Sequence, residues 1–405
     1  MDVISSPNAC SVTTGGNLWR NKHSTKNIYH ASFGVLKASQ HKRTSQMRYN
    51  LLRLQQSSSN DHYKYIEDKS TYKKCNKKYV VKAVSKPSFD LEPPASNPAN
   101  ILVSVKNFLI AAFWFCYPYS LIAQGLSVIS SSFLAVENLS NVSPLFFTGM
   151  LQAIIPQLLM SVYMNGVNQL YDLEIDKMNK PYLPLASGKL SYTAGVFIVA
   201  SCLTLSLWIG WKTGSWPLIW NLVLNTFVWS AYSIDVPLLR WKKYPLLAAM
   251  CIVITMAYIF PITLFLHIQT FVFKRPVIFS RSLIVTVIFM SLYSIGISLF
   301  KDIPDIEGDK AFGVDSLATR LGQKRVFWIC ISILESAFGI AFLAGITSSY
   351  LWIKIVTGLG HAILASILWH QTKFVDLRSK SSIISFYMLI WKLMYGAYFL
   401  LPLIR

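Results

Sequence analysis

Acid is scarce in this chain. Of 405 residues only 18 are Asp or Glu, against 38 Lys and Arg, and charged residues of both signs make up 14%. A soluble protein of this length would carry more charge and several amphipathic helices, so that class is excluded. Cysteine is sparse too. The six stand at 10, 75, 116, 202, 251 and 330 with no CxxC and no His at metal-ligand spacing, which excludes a zinc ribbon or redox dithiol and leaves reduced, structural thiols. The seven histidines are dispersed, and His267 and His361 fall in or at the end of apolar runs, where packing or hydrogen bonding is their reading. No continuous apolar core near the N-terminus marks a secretory signal. What is present is hydrocarbon. Hydrophobic residues reach 53%, mean hydropathy is +0.42, and apolar windows recur from Ile101 to the C-terminus, each of about twenty residues, the length that spans a bilayer. The chain reads as an all-α integral membrane protein, one hydrophobic bundle.

Apolar runs lie near 108–132, 145–167, 192–211, 215–233, 246–268, 281–300, 326–347, 350–370 and 383–403, which predicts nine spans. Loops after the even-numbered spans then share one side and hold 14 basic residues, among them Lys180, Lys189, Arg240, Lys242, Lys243, Lys301 and Lys310. The opposite loops hold only Lys212, Lys274, Arg275 and Arg281. By the positive-inside rule the basic side faces the stroma or cytosol.

Residues 1–89 carry 16 Lys and Arg and 4 acids, are rich in Ser and Asn, and have no acid between Asp2 and Asp61. Residues 1–85 read as a transit peptide and linker, of plastid rather than mitochondrial type because SSPNACSVTTGG is hydroxylated and uncharged and no Arg precedes Arg20. A basic arm touching RNA or anionic lipid is the other reading of such a segment; nothing in the remaining chain suggests nucleic acid.

Against this background two acidic stretches stand out, NQLYDLEIDKMNKP (168–181) and KDIPDIEGD (301–309), each directly after a span and both on the basic side. At 100° per residue Asn168, Asp172 and Asp176 share an arc of about 80°, and Asp302, Asp305 and Asp309 one of about 60°, with Glu174 and Glu307 off those faces. Pro304 and Gly308 weaken the helical assumption for the second stretch. Carboxylates gathered at the mouth of a low-dielectric bundle need a cation between them. Hard oxygen donors without His or Cys select Mg²⁺, which joins carboxylates to substrate phosphates. Lys180, Arg240, Lys242 and Lys301 are then the candidates for diphosphate oxygens, against the plain reading of positive-inside charge. A cation pathway is the competing class, but it predicts acids deep within spans, whereas only Glu335 lies well inside one, where helix-packing hydrogen bonding is its reading.

NQLYDLEIDKMNKPYLPLASG (168–188) and KDIPDIEGDKAFGVDSLATRLGQKRVFW (301–328) closely resemble the two signature regions of UbiA-type membrane prenyltransferases, and the resemblance covers roughly residues 100–405. SIDVPLLRWKKYP (233–245) and GQKRVFWICISILE (322–335) are similar to the plant plastid branch, which includes homogentisate prenyltransferases and flavonoid dimethylallyltransferases. The resemblance implies nine helices around a central cavity, with Asn168, Asp172 and Asp176 as the first metal-diphosphate site and Asp302, Asp305 and Asp309 as the second. It implies transfer of a dimethylallyl group from dimethylallyl diphosphate to a flavonoid or related polyphenol in a plastid membrane, with homogentisate phytyl transfer as the alternative. One departure is FCYP, where the family often has Arg before Pro and this chain has Tyr117. Segments 182–191 and 310–325 are candidate covers, and Tyr232, at the end of the fourth run, packs or orients a substrate.

Overall fold

The computed structural model describes residues 98–405 apart from residue 315, so the transit-peptide expectation for 1–85 lies outside the described residues. Thirteen α-helices follow one another, and no strand occurs among the described residues. They are α1 (Pro98–Phe115), α2 (Pro118–Leu134), α3 (Pro144–Tyr171), α4 (Leu173–Asn179), α5 (Tyr192–Thr213), α6 (Trp216–Ser233) and α7 (Pro245–Val272). After these come α8 (Arg281–Phe300), α9 (Ile306–Ala311), α10 (Leu317–Leu321), α11 (Gln323–Ile346), α12 (Leu351–Thr372) and α13 (Lys380–Leu400).

Seven of the helices are long and apolar enough to cross a membrane: α3, α5, α7, α8, α11, α12 and α13 with its 3-10 extension. An eighth span results if α1 and α2, bent by 56° where they meet, count as one. The bend follows from Pro118, which has no N–H to continue the α1 ladder and opens α2 instead. Tyr117, between the two, takes the left-handed conformation at φ 52°. The remaining apolar run is α6, an 18-residue helix that falls short of the same hydropathy. Its polarity has a use inside the bundle. Asn225 donates to Asn221 at 2.6 Å, Asn221 to Gln157 of α3 at 2.8 Å, and Gln157 to Gln124 of α2 at 2.8 Å. All four amides are buried, and they link three helices where hydrophobic transfer supplies little attraction between helices.

Close packing does the rest. A Cβ on Gly166 would come within 2.4 Å of Val199, so only glycine lets α3 and α5 approach this far. Two π-helical turns, Ile254–Ile259 and His267–Val272, interrupt α7. His267 there is fully buried and binds Ser215 Oγ at 2.7 Å and the Gly149 carbonyl at 2.9 Å, the packing role expected of it. His361 hydrogen-bonds the Thr357 carbonyl one turn back at 2.7 Å. Cys116, Cys202, Cys251 and Cys330 are free thiols. Glu335 differs from expectation: its Oε1 is buried without a hydrogen-bond partner.

Candidate active site

The first acidic stretch begins inside a span and ends outside it. Helix α3 stops at Tyr171, and Asp172, with φ −105°, is both its C-cap and the N-cap of the short α4. Backbone bonds from Asp172 to Asn168 at 3.0 Å and from Asp176 to Asp172 at 2.7 Å keep the i, i+4 spacing across the joint. The expected stripe therefore survives a helix break. Asn168 Nδ2 donates to Asp172 Oδ2 at 2.7 Å, Asp172 and Asp176 are buried, and Glu174 turns outward to pair with Lys177 at 2.6 Å.

The second stretch departs from the helical expectation. Residues 301–305 form turns, and helix α9 starts only at Ile306, since Pro304 lacks the N–H that a continued helix needs. Asp305 caps α9 and accepts the Asp309 N–H at 2.9 Å, so those two keep helical spacing while Asp302 sits in the preceding turn. Asp309 is buried and Glu307 exposed.

These two stretches meet. Lys180 Nζ stands 2.9 Å from Asp305 and 3.8 Å from Asp176, a bridge from one stretch to the other. Lys301 binds its neighbour Asp302 at 2.6 Å. Lys242 contacts Asp172, and Arg240, itself left-handed at φ 58°, reaches Asp172 at 3.4 Å and the Tyr171 and Ser233 carbonyls at 3.3 and 3.4 Å. The Tyr232 hydroxyl faces Lys301. All ten sequence-derived site residues thus lie on one mouth of the bundle. Lys180 and Lys301 stand beside the acids, and among the described residues no three His, Cys, Asp or Glu side chains converge tightly enough to enclose an ion on their own.

Lysine neutralisation is incomplete. Burial pushes the Asp176 carboxyl up to about 6, with Lys180 opposing and Asp172 adding to the rise. Burial also lifts Asp309 to about 7, helped by Asp302 and resisted by Lys301. Burial lowers Lys242 despite the pull of Asp172, whereas at Lys180 and Lys301 burial is outweighed by Asp305 and Asp302, which hold both ammonium groups well above their ordinary value. Lys180 and Lys301 keep 33% and 29% of their side-chain surface accessible, so both ammonium groups can be reached by a ligand. On the outer side a cleft of about 470 Å³ is lined by Glu174, Asp235, Arg240 and Lys243. Segment 182–191 buries Leu183, Leu185 and Leu190, and Leu185 and Leu190 join the core packed between α3 and α5.

Sequence reading missed Asn179. Its side chain is 3% exposed, donates to the Asp305 carbonyl at 3.3 Å and accepts the Gly308 N–H at 3.2 Å, clamping α4 to α9. A Cβ on Gly308 would lie 2.3 Å from Asn179 Oδ1, so glycine is required there by the clamp. The one available signal was the position of Asn179 at the end of an acidic helix before Lys180-Pro181; nothing in that spacing names its partner.

Residues 125–393 match the model of the UbiA prenyltransferase family. The chain is 59% identical over 403 residues to glycinol 4-dimethylallyltransferase of Glycine max, covering all of this chain and 98% of the relative. It is 51% identical over 314 residues to the chloroplastic homogentisate phytyltransferase 1 of Arabidopsis thaliana, covering 78% and 80%. Its fold is similar to a UbiA homolog from Archaeoglobus fulgidus solved bound to DMAPP and Mg²⁺, with TM-score 0.50, 16% identity and coverage of 72% and 98%. A lysine-bridged pair of aspartate stretches at one mouth of an all-helical membrane bundle thus coincides with the matched region, and the chain belongs to the UbiA prenyltransferase family.

Proposed function

We propose that the protein transfers a dimethylallyl group from dimethylallyl diphosphate to an aromatic carbon of a flavonoid, isoflavonoid or related polyphenol in a plastid membrane. The observation that carries the reading is the convergence of Asp172, Asp176, Asp302, Asp305 and Asp309 with Lys180, Arg240, Lys242 and Lys301 at one mouth. The donor set fits Mg²⁺: it is all oxygen, two of its carboxyls are under-neutralised, and Mg²⁺ needs only one or two carboxylates from each stretch when diphosphate supplies the other ligands. Asp172, Asp176, Asp302, Asp305 and Asp309 would hold it, and when bound it adds positive charge against the departing diphosphate.

The chain's own groups perform the rest. Lys180, Lys301, Lys242 and Arg240, with Asn168, bind diphosphate oxygens and favour the charge that develops on them. The allylic C–O bond breaks with its electron pair leaving on diphosphate. A π pair of the phenolic ring forms the new C–C bond, and the ring carbon gives up its proton to the released diphosphate. The apolar helices and the leucine-anchored segment 182–191 keep water from the allylic cation.

Support for a polyphenol acceptor comes from the relative that matches along both full chains; the homogentisate enzyme matches less of each and with lower identity. Membranes containing the expressed protein, offered dimethylallyl, geranyl and phytyl diphosphates with polyphenols or homogentisate, should yield a mono-dimethylallylated polyphenol by mass spectrometry. Conversion of homogentisate with phytyl diphosphate alone would transfer the reading to the alternative.

A further inference from the structure

Beneath the acid site, aromatic side chains follow one another from α2 to α13. Tyr117 and Tyr119 meet edge-on with ring centroids 5.3 Å apart, Tyr119 and Trp391 at 5.3 Å, and Trp391 and Tyr387 at 6.1 Å. Tyr387 in turn stacks on Phe300 at 5.9 Å. The upper end of this wall touches the charges: Tyr117 lies in the electrostatic reach of Lys180, Asp176 and Asp305, and Tyr387 in that of Lys301, Lys180 and Asp305. Tyr395 donates to the Tyr119 carbonyl at 2.6 Å and pins α13 to the start of α2.

Two features separate this wall from ordinary core. Its three tyrosines and Trp391 keep part of their surface accessible, unlike the fully buried rings of Phe289, Tyr293 and Phe338. The Trp391 Nε1 is buried without a partner, near the Tyr387 hydroxyl but outside hydrogen-bonding geometry. An indole N–H only donates, and a buried donor left unpaired is costly unless a ligand accepts from it. Tyr117 also holds a left-handed backbone at φ 52°, a strain that proteins retain where the surroundings fix a side chain in place.

We propose that the wall of Tyr117, Tyr119, Tyr387 and Trp391 is the acceptor subsite, where a polycyclic phenol packs against the rings and its hydroxyl oxygen accepts the Trp391 N–H. Edge-on rings suit a flat aromatic guest, the orphan donor suits a phenol oxygen, and the lysine-bridged mouth lies directly above. The proposal rests on the prenyl-transfer reading for its chemistry but is testable by binding alone. Calorimetry on the detergent-purified full chain would compare glycinol with an analogue lacking its phenolic hydroxyls. The Trp391→Phe variant, which keeps a ring and loses the N–H, should weaken glycinol about tenfold and leave the weaker binding of the hydroxyl-free analogue unchanged. In turnover its KM for the phenol should rise while that for dimethylallyl diphosphate holds. Tyr119→Leu, which removes a ring and spares the N–H, should weaken glycinol and the hydroxyl-free analogue alike. Glycinol binding untouched by both substitutions, or absent from the wild type, would overturn the subsite. Binding that depends on Trp391 in a wild type forming no prenylated product would retire the reaction and leave the subsite standing.

Discussion

Asp176 and Glu174 are two residues apart and do opposite things: one is buried beside Lys180, the other exposed on Lys177. Substituting Asn for Asp172, Asp176, Asp302, Asp305 or Asp309 should lower prenyl transfer by at least about tenfold, some ~1.4 kcal/mol of transition-state stabilisation. Glu174→Gln and Glu307→Gln should retain most activity in membranes with matched protein levels; equal losses at Glu174 and Asp176 would contradict the proposed site. Protons and Mg²⁺ compete for the same carboxyls, and Asp309 and Asp176 rest near 7 and 6 without an ion. The Mg²⁺ concentration for half-maximal activity should therefore rise as pH falls through 7 and then 6, and level off above about pH 7.5. A requirement constant from pH 5.5 to 8 would argue against these carboxyls as ligands.

At the level of elements, the clamp between α4 and α9 depends on one amide and one missing side chain. Asn179→Ala removes both of its bonds to α9, and Gly308→Ala drives a methyl group into Asn179. Each should cut activity several-fold. Because they break the same contact, the double variant should be scarcely worse than Asn179→Ala; losses that multiply would mean the clamp is not what Gly308 protects. Most elements were legible in the sequence, since apolar length reports directly on bilayer thickness, and the acidic stripe of α4 could be read from i, i+4 spacing alone. The turn at 301–305 and the left-handed Tyr117 were not: Pro304 and Pro118 announce that a helix stops, but the path taken instead is set by tertiary contacts. The lysine partners of the acids escaped for a related reason. Lys180, Arg240, Lys242 and Lys301 were expected to meet diphosphate, but which aspartate each one pairs with depends on how the two stretches approach one another in space.

For the whole molecule, we propose that residues 1–85 are a plastid address and that the 14 basic loop residues face the stroma, on the grounds of composition. A fluorescent protein fused to residues 1–85 should enter plastids, and cysteines placed in the loops at 177–189 and 301–325 should react with impermeant reagents only from the stromal side. Cytosolic or mitochondrial fluorescence would refute the first expectation, and labelling from the opposite face the second. The lysine bridge also bears on how ligands arrive. With Lys180 on Asp305 and Lys301 on Asp302, a cation that comes alone has to evict an ammonium, and an anion that comes alone has to evict a carboxylate. In the proposed reaction the two would arrive together, each taking the partner that the other displaces, and a titration of either should then find its affinity raised by the other by the same factor.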